Sequence, residues 1–214
     1  MKEFETIDFD IEKCRIELSE FGTLLTSRPI LKERDDILPF FKARKQLSSL
    51  IGVYHPGVMV VDRIAHELPL FGDFSCDLVV GDFRNSSFLF VEFENAEPES
   101  IFVKKGLKTT PEWSPRLEHG FSQIVDWFFK LRDQNSTTEF ENRFGSRELN
   151  VMGLLILGRR EELSLREMRR MKWRETHVIV DSKTVYFRTF DDLFDQLTVR
   201  IDRFQSARTP TSLS

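Results

Sequence analysis

A run of seven residues without a polar side chain, VMGLLIL at positions 151–157, restricts the fold of this sequence more than any other feature. A strand with one wet face alternates apolar and polar residues, whereas a continuous apolar run of this length is typical of a strand covered on both faces. Parallel strands between two layers of helices have this environment. We therefore expect an α/β protein in which this strand lies inside a mixed central sheet flanked by helices.

Helices and strands are predicted before this run. Apolar residues at helical spacing after Asp36 predict a helix that Asp36 caps. Three extended segments, at 58–68, 76–83 and 87–95, are separated by turn residues and predict a meander of strands. Asp82, at the end of the second segment, is expected to serve a turn.

The second half of the chain alternates predicted helices with short predicted strands. Residues 117–131 carry an apolar stripe that predicts a helix, with His119, Gln123 and Trp127 expected on the opposite side. The remaining predicted elements are a basic helix opened by the capping pair Ser164 and Glu167, short strands at 177–182 and 184–189, and a last helix capped by Thr189 and Asp192.

Length and composition restrict the class of protein. The 214 residues suffice for one α/β domain. We place it at 35–204, after an N-terminal extension at 1–34 and before a tail at 205–214 that we expect to be disordered. No apolar run approaches the roughly 20 residues of a membrane span, and the acidic start lacks the features of a signal peptide, so we expect a cytoplasmic protein with no membrane partner. The net charge of −4 implies that any contact with nucleic acid is local.

Two carboxylates end the extended segment SFLFVEFEN. With a period of two, Glu92 and Glu94 point to the same side of the strand as the apolar Phe88 and Phe90. Two such charges at about 4 Å in a medium with an effective dielectric constant of about 20 repel by about 4 kcal/mol, so a buried pair requires compensation. Asp77, early in the preceding predicted strand, is expected to join them.

A divalent cation would supply the missing positive charge. Carboxylate oxygens suit Mg²⁺ or Mn²⁺, and such an ion can activate a water molecule and stabilise the charge of a phosphate ester under attack. The sequence therefore indicates a metal site formed by Asp77, Glu92 and Glu94. The alternative is a solvated rim at a strand end, with Asp77 serving a turn.

Several segments, taken in order, resemble a known family. Asp77, then Glu92-Phe93-Glu94 on the next strand, then a helix with Gln123 resemble the core of the PD-(D/E)xK nucleases. VEFEN, EWSPRLEHGFSQIVDWF, LLILGRR and TFDDLFDQL together resemble, more narrowly, the nuclease domain of the Shedu family of bacterial anti-phage defence proteins, from about Asp35 to Leu197. The resemblance implies a restriction-endonuclease-like fold, a metal-dependent DNA endonuclease, Asp77 and Glu92 as metal ligands, and Gln123 as the helix residue that reaches the site.

The chain departs from the general pattern at Glu94, where that pattern has a lysine that orients the attacking water and stabilises the transition state. Glu94 is then a further metal ligand, or Lys104 or Lys105 supplies the charge, or the site is inactive. The alternative function is therefore a catalytically inactive relative that binds DNA or another partner.

Cations near the carboxylates in sequence are the expected nucleic-acid contacts, and these contacts should be mainly to the DNA backbone. The basic segment 159–174 is a second candidate, and a solvated helix face explains it equally well. The family resemblance implies a homo-oligomer, a dimer or a tetramer. The residues expected to contact DNA are Lys104, Lys105, Lys108, Arg116 and His119.

Overall fold

The apolar run forms an interior strand of a mixed sheet in the computed structural model, which describes residues 3–72 and 74–206. Within those residues the order of the main sheet is β1-β2-β3-β4-β7-β9-β8, and β5 pairs with β6 in a separate hairpin. The strands are β1 Glu5–Thr6, β2 Arg63–Leu70, β3 Phe74–Asp82, β4 Ser87–Phe93, β5 Phe102–Val103, β6 Glu112–Trp113, β7 Asn150–Ile156, β8 Ile179–Val180 and β9 Lys183–Arg188.

The direction of the strands divides the sheet into two parts. From β1 to β4 the neighbours are antiparallel, as expected for a meander. β4, β7 and β9 are parallel, and β8 closes the edge as an antiparallel strand. β7 has a neighbour on each side, so the prediction of an interior strand in a mixed sheet is confirmed.

Helices cover both faces of the sheet. One apolar layer joins β3, β4 and β7 to α1, α2, α3 and α7, and the other joins the same strands to α4, α5 and α6. The helices are α1 Ile11–Ser27, α2 Leu38–Ala43, α3 Lys45–Leu50, α4 Pro115–Gln134, α5 Thr138–Phe144, α6 Leu165–His177 and α7 Phe190–Ser206.

Residues 3–34 contribute to the core. Asp10 caps α1 by accepting the backbone N–H groups of Glu12 and Lys13, and α1 buries Cys14, Leu18, Phe21 and Leu25. This spacing of four, three and four residues is helical, so the signal was present in the sequence. The expectation that regular structure begins at Asp36 is therefore wrong.

Asp36 is not the N-cap of a helix. It lies in a π-helical turn, Glu33–Ile37, and its carboxylate accepts the backbone N–H of Lys32 at 2.9 Å. The helix predicted after it consists of α2 and α3, which are separated at Arg44, where φ is −120° and ψ is 72°. Residues 33–50 thus form a bent segment rather than one straight helix.

Other segments differ from the sequence-based expectation in detail. The segment at 58–68 becomes a strand only from Arg63, because Asp82 accepts the N–H groups of Met59 and Val60 and holds them in a loop. Trp127 is fully buried, because the buried face of α4 is wider than the predicted stripe. The polar stretch after α4 contains α5, whose Phe140 and Phe144 are buried.

The predicted helix starts in the second half are confirmed. Ser164 and Glu167 form a reciprocal capping box at α6. Thr189 accepts the N–H of Asp192 at 3.0 Å at the start of α7, and Asp192 accepts the N–H of Thr189 in return. The tail predicted to be disordered begins at residue 205. Residues 205 and 206 belong to α7, and residues 207–214 lie outside the described part. Among the described helices, none combines the length and the apolar character that crossing a bilayer requires.

Candidate active site

A cleft of about 670 Å³ opens where β3 begins and β4 ends. The turn Glu33–Ile37 and α2 form one wall, and the first half of α4 forms the other. The cleft therefore lies at one end of the sheet, between the two helical layers. Asp77 and Glu92 both line it.

The ladder between β2 and β3 is irregular at Asp77. His66 pairs with Leu78 and Leu68 pairs with Cys76, so that Glu67 lies opposite Asp77. Glu67 has a φ of 51°, in the left-handed region that residues with a side chain rarely adopt. Leu78 packs in one apolar layer and Cys76 in the other, so the strand changes sides at this point.

This change of side brings the carboxylate of Asp77 to β4. Its Oδ2 accepts the backbone N–H of Phe93 at 2.8 Å. The ring of Phe93 lies in the apolar layer that contains α2, where it stacks on Phe41 with the ring centroids 4.6 Å apart. The backbone of Phe93 therefore fixes the position of Asp77. Its side chain supports α2, which forms one wall of the cleft.

Glu92 is buried in the cleft with only 4% of its surface exposed. The side-chain amide of Gln123 on α4 donates to Oε1 of Glu92, whereas no donor among the described residues reaches the buried Oε2. Burial raises the pKa of Glu92 well above its ordinary value, and the charge of Asp77 raises it further. Burial also raises the pKa of Asp77, against the lowering effect of the Phe93 N–H. The half-buried Asp77 and the buried Glu92 thus interact directly at this end of the sheet.

Glu94 points to a different partner. Its Oε2 accepts from Arg116 at 3.1 Å, and Arg116 also contacts Glu97 at 2.8 Å. Burial raises the pKa of Glu94, and Arg116 opposes this effect. Over the described ranges, no three His, Cys, Asp or Glu side chains are grouped closely enough to hold a metal ion. Glu94 pairs with Arg116 instead of completing a three-ligand group with Asp77 and Glu92, and the metal binding by all three acids that the sequence indicated remains a prediction.

Gly120 allows α4 to approach these acids. A Cβ at this position would lie 2.6 Å from Leu155 Cδ1 on β7 and 3.2 Å from Glu94 Cγ. The close approach is to side chains of the sheet, not to another backbone. Gln123 and His119 lie one helical turn apart on α4, and both line the cleft.

The sequence patterns did not identify four of the charged or titratable residues that line the cleft. Glu33 lies across the cleft, near enough for its charge to raise the pKa of both Asp77 and Glu92. Arg34, Lys42 and His66 line the same cleft. The helical spacing of α2 placed Lys42 on a helix, but only the packing of that helix across the end of β4 brings it to the acids.

Three lysines expected to contact DNA lie away from the cleft. Lys105 and Lys108 both pair with Glu112, which holds them on the β5–β6 hairpin. Lys104 lines a separate cavity of about 360 Å³, together with Arg166 and Arg170 of α6. Of the five expected contacts, His119 lines the cleft and Arg116 lies beside it as the partner of Glu94.

The carboxylates of the cleft suit a cation that is coordinated by few protein side chains. Asp77 and Glu92 offer two carboxylates, and Oε2 of Glu92 is buried without a donor. Mg²⁺ commonly binds through one or two carboxylates, with water and substrate phosphate oxygens completing six ligands. A cation held by three or more protein side chains does not fit this cleft, whereas a hydrated Mg²⁺ or Mn²⁺ does.

The fold and the cleft together define an α/β protein with a mixed sheet and two neighbouring carboxylates, the half-buried Asp77 and the buried Glu92, at one end of that sheet. The chain belongs to the family described as Shedu protein SduA, C-terminal, which it matches over residues 31–194. The match confirms the resemblance and associates the chain with anti-phage defence. A search among curated proteins found no match.

Proposed function

We propose that this chain is a metal-dependent DNA endonuclease of the PD-(D/E)xK kind that acts in anti-phage defence. The observation that carries the proposal is the pair formed by the half-buried Asp77 and the buried Glu92 in an open cleft, with Oε2 of Glu92 lacking a donor. A carboxylate this deeply buried is costly for folding in its charged form, which supports a cation that binds there. The meander β2–β4, followed by the crossover through α4 to the parallel β7, supports the proposed fold type.

Each side chain has a distinct role in this mechanism. Asp77 and Glu92 hold the Mg²⁺ or Mn²⁺, and Gln123 fixes the orientation of Glu92 through Oε1. The bound ion supplies Lewis-acid stabilisation of the phosphate and a water of lowered pKa. Glu94 remains paired with Arg116 and keeps the N-terminal half of α4 against the sheet.

Lys42 is the proposed contact for the scissile phosphate, in the absence of a lysine at position 94. Its Nζ donates to Glu67 Oε2 at 2.6 Å on the wall of the cleft. The Lys42→Met variant should lose about 10-fold or more in cleavage rate, less than the roughly 10²- to 10³-fold lost with a buried oxyanion-hole donor, because an exposed charge is screened.

Stability should be little affected by this change, since an exposed ion pair contributes at most about 1 kcal/mol. The control is Lys45→Met, because Lys45 pairs with Glu5 on the first strand and does not line the cleft. Equal cleavage rates in gel assays of the two variants would contradict the role of Lys42.

The test of the proposed function is cleavage of supercoiled plasmid by the purified chain. We expect nicked or linear product with Mg²⁺ or Mn²⁺, and none with EDTA or with the Asp77→Asn variant purified in the same way. Cleavage by wild type and variant alike would indicate a contaminating nuclease. Absence of cleavage by any sample would contradict the endonuclease proposal.

A second function is favoured by Glu94, which stands where the general nuclease pattern has a lysine. An inactive relative would bind DNA or another partner through the same surface and cleave nothing. Filter binding of plasmid fragments in the absence of metal separates this function from a protein with no affinity for DNA. Assembly into a dimer or tetramer remains a prediction for sedimentation analysis.

A further inference from the structure

The outward face of α6 is basic over its whole length. Arg166, Arg169, Trp173 and His177 follow each other at spacings of three and four residues, which places them on one face of the helix. All four are exposed. Lys172 borders this face but pairs with Glu175 at 2.6 Å, so its charge is compensated.

The two acidic residues of α6 are both withdrawn from that face. Glu167 is engaged at the N-terminus, where it accepts from the backbone and hydroxyl of Ser164. Glu175 is only 2% exposed and accepts from Arg188 and from the backbone N–H of Phe187. Within the described part of the chain, Arg166 and Arg169 form no ion pair. This face therefore carries two arginines without ion pairs, of which Arg166 lines the same cavity as Glu162 and Glu167.

The other basic residues of the segment 159–174 have internal partners. Arg159 pairs with Asp191, Arg160 pairs with Asp192 and Asp195, and Arg174 pairs with Glu118. The contact of Arg174 fixes α6 on α4, and the contacts of Arg159 and Arg160 join the segment before α6 to α7. The segment thus contains both structural arginines and an outward face that takes no part in the packing.

A flat aromatic surface lies in the middle of this face. The ring of Trp173 stacks on the imidazole of His177, with centroids 4.9 Å apart and planes at 9°. Trp173 nevertheless remains 59% exposed. The stacking restricts the rotation of the indole, so a planar ligand that binds its free side loses less conformational entropy.

We propose that this face of α6 binds a single strand of nucleic acid, with one base stacked on Trp173 and the adjacent phosphates contacting Arg166 and Arg169. Cations beside an exposed aromatic ring are the combination that holds single strands without sequence preference. A strand of nucleic acid matches both the cations and the exposed ring, whereas an acidic protein surface would match the cations alone. This site is separate from the carboxylate cleft and requires no cleavage by it.

The test is binding of a fluorescein-labelled deoxythymidine oligomer of about 12 nucleotides, measured by anisotropy in EDTA so that cleavage cannot interfere. Wild type should bind with an affinity that falls as salt rises. The Trp173→Ala variant should bind at least about 5-fold more weakly, because stacking of one base contributes about 1–3 kcal/mol. Trp173→Phe should retain most of the affinity.

Charge is tested with Arg169→Gln, which should lower the slope of log affinity against log salt by about 0.7 if one phosphate contact is lost. The matched controls are Phe204→Ala and Arg200→Gln, exposed residues on α7, which packs on the opposite side of the sheet. Both should bind as wild type does.

Equal affinity of wild type and Trp173→Ala would overturn the proposal. A change in sedimentation of Trp173→Ala with unchanged affinity would also overturn it, because the face would then be a contact between copies of the chain. Asp77→Asn should bind the oligomer as wild type does, so that failure of the endonuclease proposal leaves this result unaffected.

Discussion

The Glu92→Gln variant is expected to lose cleavage activity by about 100-fold or more. A metal ion provides several kcal/mol of transition-state stabilisation, and each 1.36 kcal/mol corresponds to about 10-fold in rate. Glutamine keeps the size of the side chain and an acceptor for Gln123, but it removes the negative charge that holds the ion. Initial rates of plasmid nicking at several Mg²⁺ concentrations measure the loss.

The same substitution should leave the metal-free protein equally stable or more stable. Oε2 of Glu92 is buried without a donor, and the neighbouring Asp77 is also an acid. An amide at position 92 can donate to Asp77 instead. Thermal unfolding in EDTA should therefore show a midpoint at or above that of wild type, which separates loss of function from loss of folding.

Binding of metal provides the second measurement. A ligand at about 100 times its dissociation constant stabilises the folded state by about 2.7 kcal/mol. For a chain of this size the thermal midpoint should then rise by about 5–10 °C in wild type, and by much less in Glu92→Gln. Glu148→Gln is the control, because Glu148 is exposed just before β7 begins, at the opposite end of the sheet. An equal rise in the thermal midpoint of wild type and Glu92→Gln would show that the ion binds elsewhere.

The Arg116→Met variant is expected to be less stable than wild type by about 2 kcal/mol. Removal of one partner of a buried ion pair typically costs about 3–5 kcal/mol, and we take a smaller value because the Arg116 side chain is 34% exposed. Glu94, only 3% exposed, would remain without its counter-charge. The thermal midpoint should fall by about 4–8 °C.

The double variant Arg116→Met with Glu94→Gln should recover at least half of that stability, because the uncompensated charge is then absent. Glu94→Gln alone should cleave plasmid within about 10-fold of wild type, since position 94 is assigned here to packing. Loss of cleavage and of the metal-induced thermal rise, at the level seen with Glu92→Gln, would instead identify Glu94 as a ligand of the ion.

Local patterns in the sequence were sufficient for much of the fold. The apolar run of β7 predicted an interior strand, and the capping residues Ser164 and Thr189 predicted where α6 and α7 begin. These signals act over a few residues, so tertiary packing does not change them. α1 also had such a signal, in the spacing from Cys14 to Leu25, and it was overlooked among the acidic residues around it.

The candidate site was only partly accessible to the same reasoning. Asp77 and Glu92 could be paired because they lie on neighbouring strands of a meander. The partner of Glu94 could not be foreseen, because Arg116 reaches it only after α4 has packed across the sheet. Glu33 and Lys42 likewise come to the cleft only when the turn Glu33–Ile37 and α2 pack across the end of β4, which depends on contacts between distant parts of the chain.

The stacking of Phe93 on Phe41 links the width of the cleft to a residue that carries no charge. Phe93 lies between two acids in sequence, its N–H fixes Asp77, and its ring supports α2. A smaller side chain there would let α2 settle toward the sheet and narrow the opening without altering any titratable group. Selection for a different substrate size could therefore act on this aromatic contact while the acidic pair stays the same.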